Sequence, residues 1–381
     1  MRWSSTGLRL NGAMRVVQVN LTYDRRLRSA VDLTDRYTTL TGWSEALAAG
    51  GADVLTVQHF HSSASLTRNG VRYVFGRFGA ITRAAAAFAP DIVHVNGLRF
   101  PLQTWWLRRV LPRSVAIVVQ DHGSGDPAHR HPVVNAARRW LMRTPDAFLF
   151  TAIEQANAWR QRRYIAPDQM VYGLMEASTD MRAMPRDEAR AASGLTGAPA
   201  LLWVGRLNAN KDPLTIVRAF ERVAGALPGA TLTMVYHESD LLEEVRACAT
   251  ASASLRDRIR LVGEVSHDRM RAFFSAADQF LVGSHHEGSG YALLEALACG
   301  AIPVVTNIPS FRVLTRNGSI GLLWTPGDAD ACAAALLALS TRDLAAERQR
   351  VLNHFEDELT WKAVGGRAMA AYREVVANRR R

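Results

Sequence analysis

Apolar residues along this chain gather into short continuous runs, separated by longer stretches in which they recur at helical spacing. Met14–Asn20, Asp53–Gln58, Asp91–Asn96, Val115–Gln120, Ala147–Thr151 and Met170–Leu174 are rich in β-branched or aromatic residues and predict strands. Gly42–Ala49, Ile81–Phe88 and Val133–Met142, lying between them, predict helices. A second series of strands follows at Ala200–Gly205, Thr231–Tyr236, Ile259–Gly263, Gln279–Val282 and Ile302–Thr306. Alternation of this kind predicts parallel sheets with right-handed crossovers, and two series predict two Rossmann-like domains. The polar stretch from Glu176 to Ala198 separates them. Residues 1–13 read as a tail, 14–178 as the first domain and 179–358 as the second. The last stretch, 359–381, predicts a helix whose apolar stripe is Trp361, Val364, Met369, Tyr372 and Val375. Ligands of open parallel sheets bind beyond the carboxyl ends of the strands, so the expected site is a cleft between the domains.

Candidate chemistry is densest from His286 to Asn307. Glu287 and Glu295 stand eight positions apart, and Gly288-Ser289-Gly290 opens an apolar helical run from Tyr291 to Cys299. Gly300 ends that run and a strand follows. A glycine-rich turn into a helix offers free N–H groups and the positive end of the helix dipole, which suits a phosphate. Glu295 interrupts an otherwise apolar run, and a carboxylate there costs free energy unless it is paired or reaches a ligand. A second motif, Gly205-Arg206-Leu207-Asn208-Ala209-Asn210-Lys211-Asp212-Pro213, follows the first strand of the second domain. Arg206 and Lys211 leave the strand end on one loop, before a helix with Asp212 as N-cap and Pro213 at its first position. Two cations on one loop suit a diphosphate, arginine as a planar fork and lysine as a point charge. Lys211 is one of only two lysines among 46 basic residues, so its identity is informative.

The run Glu-Gly-Ser-Gly-Tyr-Ala-Leu-Leu-Glu-Ala-Leu-Ala-Cys-Gly resembles the Glu-x7-Glu motif of retaining GT-B glycosyltransferases, family 4 (group 1). The loop from Gly205 to Lys211 is similar to that family's Gly-Arg-Leu…Lys loop, and the resemblance is motif-specific from about Leu201 to Pro326. It implies an α/β protein of GT-B fold, two Rossmann-like domains facing each other across a cleft, with the last helix returning to the first. It implies transfer of a hexose-type sugar from a UDP- or GDP-sugar to a hydroxyl acceptor, with retention and without cofactor or metal. The acceptor would be a glycan or a lipid-linked sugar in cell-surface polysaccharide or glycolipid synthesis.

The same resemblance assigns roles. Arg206 and Lys211, beside Gly205, would hold the pyrophosphate; Glu295 would accept from the ribose hydroxyls, and Glu287 would face the sugar. Backbone N–H groups of Gly288, Ser289, Gly290 and Tyr291 would meet sugar or phosphate oxygens, and Val265, after Gly263-Glu264, would meet the nucleobase. His122 resembles the histidine that contacts the donor sugar, whereas His94 reads as structural. Gly42, in Thr41-Gly42-Trp43-Ser44-Glu45, resembles the glycine of an acceptor loop preceding a helix. Two departures stand out. Tyr236-His237-Glu238-Ser239 occupies the place of a glycine-rich turn, and Ser289 replaces an aromatic residue, which enlarges the sugar pocket. A nucleotide-sugar epimerase or a non-catalytic nucleotide-binding relative would share the same motifs.

Composition narrows the class further. A chain of 381 residues with 48% hydrophobic and 21% charged residues suits a globular protein of two domains. Cys248, Cys299 and Cys332 are scattered, which fits a reducing cytoplasm and neither a disulfide framework nor a zinc site. No apolar run reaches transmembrane length, and residues 1–13 lack the apolar core of a signal peptide. The net charge of +11 is uneven: residues 1–180 hold 22 arginines against 13 acids. Arg108, Arg109, Arg113, Arg138, Arg139, Arg143, Arg160, Arg162 and Arg163 carry much of it, interleaved with Trp105, Trp106, Trp140 and Trp159. Two readings stand: peripheral docking on the anionic inner face of the cell membrane, or solvated helix faces with half-buried rings. No nucleic-acid-binding motif accompanies the charge. Asp328-Ala329-Asp330 has the spacing of a metal-binding pair, but it follows Pro326-Gly327 and opens a helical run, so it reads as an N-cap.

Overall fold

The computed structural model describes residues 12–125, 127, 131–252 and 254–380, so residues 1–11 of the expected tail lie outside the described residues. The chain divides into two compact units: residues 1–150, 156–174 and 365–381 form one, and residues 151–155 and 175–364 the other. The second unit thus begins at Met175, a little before the expected boundary, and takes the short segment 151–155 with it.

The first unit contains β1 (Arg15–Asn20), β2 (Asp53–His59), β3 (Ala64–Arg68), β4 (Val71–Gly76), β5 (Ile92–Asn96), β6 (Ala116–Gln120), β7 (Ala147–Phe150) and β8 (Met170–Gly173). They form one sheet in the order β3-β4-β2-β1-β5-β6-β7-β8. Every pairing is parallel except β3 with β4. That hairpin corrects the expectation of a wholly parallel sheet. Its physical cause is local: Asn69 and Gly70 both have positive φ, the backbone that a two-residue hairpin turn requires. The central strands are buried on both faces: Val17, Val19, Val93, Val95 and Ile117 form an apolar face, while the opposite face mixes Val16, Ile92 and Val118 with the buried polar residues Gln18 and His94.

The second unit holds β9 (Ala200–Gly205), β10 (Thr231–Tyr236), β11 (Ile259–Gly263), β12 (Gln279–Val282), β13 (Ile302–Thr306) and β14 (Leu322–Trp324). Its sheet is parallel throughout, in the order β11-β10-β9-β12-β13-β14. The order reverses direction at β9 and β12, where the crossovers leave on opposite sides, and a crevice opens at such a point beyond the strand ends. The two motif loops follow these two strands.

The last helix, Trp361–Arg380, gives its residues from Gly365 onward to the first unit. There Tyr372 is buried, and its hydroxyl accepts a hydrogen bond from Trp43 Nε1 at 3.3 Å and contacts His94 Nδ1. Gly365 lets the helix approach closely, since a Cβ there would lie 2.9 Å from that of Ala46.

Candidate functional site

In the second unit β9 ends at Gly205, and the loop Arg206–Asp212 leads into the helix Pro213–Val223. Asp212 caps that helix by accepting from Thr215 N, in a left-handed backbone conformation. Asn210 fastens this loop to the one after β12: its Nδ2 donates to His286 O at 3.0 Å and its Oδ1 accepts from His286 N at 3.1 Å. His285 N adds a bond to Asn210 O at 2.8 Å. The two loops approach so closely at Gly283 that a Cβ there would stand 3.0 Å from the Asp212 carbonyl and 3.1 Å from that of Lys211. The sequence therefore fixes the positions of two cation- and acid-bearing loops relative to each other before any ligand arrives.

The result is an ion pair between Lys211 Nζ and Glu287 Oε1, with both side chains mostly buried. Ser284 Oγ donates to the same carboxylate oxygen at 2.7 Å. Lys211, Glu287, Gly205, Arg206, Gly290 and Tyr291 all line one cavity of about 330 Å³, joined by His237 and Phe311. Arg206 stands 3.8 Å from Glu238, and both side chains are about half exposed. The helix Tyr291–Ala298 opens onto the cavity. Its N-cap, Gly290, has φ +70°, and a Cβ there would lie 2.7 Å from Phe311 Cε1, so glycine is required on two counts. A guanidinium, an ammonium and a helix N-terminus thus share one wall. That combination can hold a diphosphate.

The other expected donor residues lie nearby but not in that wall. Glu295, on the same helix, sits 2.8 Å from His267 Nε2. Burial pushes its carboxyl pKa above the ordinary range, more than the contact with His267 lowers it. Val265 lies half-buried in the loop between β11 and the helix His267–Ala276. Ser289 is buried and donates to the Glu176 carboxylate, so its side chain is not in the cavity wall. The expectation that Ser289 enlarges a sugar pocket is therefore not carried by this cavity. Gly288 lends a carbonyl: Gln155 Nε2 donates to the carbonyls of Glu287 at 3.1 Å and Gly288 at 3.4 Å. Sequence reasoning missed Gln155, Asn210, Ser284 and His267. Asn210 at least sat inside the quoted loop, whereas nothing near Gln155 marks it.

In the first unit His122 follows β6, with Nε2 2.9 Å from Asn96 Oδ1. Asn96 Nδ2 in turn donates to Gln18 Oε1 and Asn20 Oδ1. Asn20, Asn96 and His122 border a second cavity of about 340 Å³, lined also by Tyr37, Gln58 and Arg99. His94 is wholly buried, its pKa lowered to about 3 chiefly by burial, and it is structural. Gly42 is corrected. It lies inside the helix Thr38–Ala49 rather than in a loop before it, because Trp43 and Leu47 pack into the core and carry the helix back to Thr38. Among the basic and aromatic set, Trp159 is buried beneath the Arg138 guanidinium. Arg108 is also turned inward, onto the Val115 carbonyl and Asp146. Asp328 caps the helix Ala329–Ser340 as expected, and Asp330 pairs with Arg222.

Two Rossmann-like units with this strand order define a GT-B protein, and comparison with solved structures agrees. Sucrose-phosphate synthase from Thermosynechococcus elongatus superposes with a TM-score of 0.69 at 20% identity, covering 96% of this chain and 100% of that one. Anabaena HepE in complex with UDP and glucose gives 0.66 at 14% identity, with 95% and 100% covered. Residues 185–353 match the family model "Glycosyl transferases group 1". The second unit is thus similar to the group 1 glycosyltransferases over residues 185–353. Among curated relatives, the GDP-mannose:cellobiosyl-diphosphopolyprenol alpha-mannosyltransferase of Xanthomonas campestris is 25% identical over 324 residues, 84% of this chain and 83% of the relative.

Proposed function

We propose that this glycosyltransferase moves a hexose-type sugar from a UDP- or GDP-sugar to a hydroxyl of a growing glycan or glycolipid, with retention at the anomeric carbon and without a metal ion. The observation that carries the reading is the convergence of Arg206, Lys211, Glu287 and the helix N-terminus at Gly290 on one cavity. Breaking the anomeric C–O bond places negative charge on the departing diphosphate and positive charge on the sugar ring. Arg206, Lys211 and the helix end would stabilise the first; Glu287, held on Lys211, would face the second. Fixed cations can supply the charge stabilisation that a divalent ion gives other phosphoryl-linked leaving groups. Glu295 would accept from the ribose hydroxyls and Val265 would lie against the base. The acceptor hydroxyl would enter on the face the leaving group vacates, its proton passing to the departing phosphate oxygen.

The relative from Xanthomonas campestris is named for GDP-mannose and a polyprenol-linked acceptor, and HepE was solved with UDP and glucose. Both donor bases are therefore worth testing. We further propose that the protein works at an anionic membrane face, supported by the surplus of arginine in its first half.

The test is a panel of UDP- and GDP-sugars assayed for hydrolysis and transfer, with Arg206→Ala and Lys211→Ala alongside. Each substitution should lower turnover of the preferred donor by about 10²–10³-fold. Because Lys211→Ala also leaves Glu287 without its partner, thermal unfolding is followed in parallel; Arg206 is half exposed and should leave stability nearly unchanged. Turnover within a few-fold of wild type in Arg206→Ala and Lys211→Ala would refute the assignment.

A further inference from the structure

The first unit contains two adjoining cavities of opposite character. One, about 340 Å³, is ringed by Asn20, Gln58, Asn96, His122 and Arg99. The other, about 710 Å³, is walled by Phe78, Phe100, Leu102, Trp105 and Trp106. Leu21 and Phe100 belong to both walls, so the polar chamber passes directly into the apolar one.

The polar chamber has unfilled hydrogen-bonding capacity. Gln58 is 1% exposed; its Nε2 donates to the carbonyls of Thr22 and His59, which fixes the amide orientation and leaves Oε1 without a partner among the described residues. Asn20 is 7% exposed; its Oδ1 accepts from Asn96, and its Nδ2 is likewise unpartnered among the described residues. A buried amide acceptor and a buried amide donor at one wall are costly unless something completes them. Hydroxyl groups, which both donate and accept, do so. Arg99 adds a cation for an anionic substituent. The apolar chamber leads outward: Leu102 and Trp106 line it and are still 58% and 49% exposed. On the helix Pro101–Val110 that carries them, Arg109 stacks on Trp105 at the edge.

We propose that these chambers seat an amphiphilic acceptor, a hydroxylated anionic head against Asn20, Gln58 and Arg99, and a hydrocarbon tail along Phe78, Leu102 and Trp106. This rests on the transferase reading and narrows its acceptor to a lipid-linked sugar or sugar phosphate, rather than a free glycan. A long acyl or isoprenoid tail fits the apolar walls; a soluble oligosaccharide leaves them wet.

Two probes with one head decide it: methyl-linked and farnesyl-linked glucosyl diphosphate, titrated calorimetrically into the full-length protein. The farnesyl probe should bind at least about tenfold more tightly, since even partial burial of its chain exceeds that threshold. Leu102→Glu with Trp106→Glu, both on exposed positions, should abolish the difference while far-UV circular dichroism stays unchanged. Gln58→Leu should weaken both probes alike. Equal affinities for the two probes in the wild type, or a preference that survives the double substitution, would overturn the proposal. Titration of UDP and GDP into the same wild-type sample tests the donor half separately. If neither nucleotide binds, the transferase reading fails, whatever the two probes do.

Discussion

A histidine with no access to water shows how burial sets chemistry at the scale of one residue. Trp43 Nε1 donates to the Tyr372 hydroxyl, whose own proton is then free to go to His94 Nδ1. This arrangement needs a neutral imidazole, and burial lowers the His94 pKa to about 3. The unfolded chain would bind the proton near the ordinary histidine value of about 6.5, so the unfolded state holds more protons between those limits. Stability conferred by neutral His94 is therefore complete above about 6.5 and is lost as pH falls toward 3. Between pH 6.5 and 5 the loss should be about 2 kcal/mol. Denaturant titrations at the two pH values would measure it. His94→Gln keeps a hydrogen-bonding group but cannot titrate, so its stability should change less over that interval; an undiminished slope would remove His94 from the account. At the same scale Glu295 behaves in the opposite direction: burial raises its carboxyl pKa although His267 Nε2 stands 2.8 Å away.

Elements decide how far the sequence could be read. Strands β9, β12 and β13 lie where their apolar runs put them, because a strand buried on both faces needs continuous apolar sequence, and that pattern is local. Strand β3 has an alternating half-exposed pattern and few apolar residues, so it carried no such mark. Its hairpin partner β4 was missed as well, although the Asn69-Gly70 pair between the two strands is a hairpin-turn signal. Gly42 was misplaced for a different reason: its helix is extended by tertiary packing of Trp43, and glycine inside a helix is tolerated when its neighbours are buried. Of the candidate site, the Arg206–Lys211 loop and the Glu287–Gly290 turn were legible since each is contiguous. Their mutual fastening through Asn210 was not, since it joins positions 76 apart. The same argument gives an element-scale prediction. Gly290→Ala places a Cβ 2.7 Å from Phe311 at a positive φ, so the start of the helix must shift. The strain should cost roughly 1–3 kcal/mol in denaturant unfolding. Donor turnover should fall more than that of Gly225→Ala, a glycine with open space around it. Equal turnover in the two variants would mean that the helix end plays no part in donor handling.

Across the whole molecule, charge and exposed apolar area point the same way. The helix Pro132–Leu141 has no buried residue, and Val133 and Trp140 are 69% and 59% exposed. Trp140 meets Trp105 at a ring separation of 5.7 Å, so the apolar parts of two helices form one surface. Exposed Arg109, Arg113, Arg139 and Arg143 lie on or just beyond the same helices, whereas Arg108 and Trp159 are withdrawn from it. Tryptophan at the level of lipid headgroups, with arginine reaching anionic phosphates, is the chemistry of an interfacial face. Among the described residues no helix is long and apolar enough to cross a membrane. The expected outcome is co-sedimentation with vesicles of phosphatidylcholine and phosphatidylglycerol, and little with phosphatidylcholine alone. Raising ionic strength from about 0.1 M to about 1 M shortens the screening length from about 10 Å to about 3 Å and should release most of the protein. Trp140→Ser should weaken binding at low salt without changing its salt dependence, because it removes apolar contact and no charge. Arg109→Ser with Arg139→Ser should flatten the salt dependence. Equal binding to both vesicle types would leave the arginine surplus as solvated helix surface and sink the membrane reading.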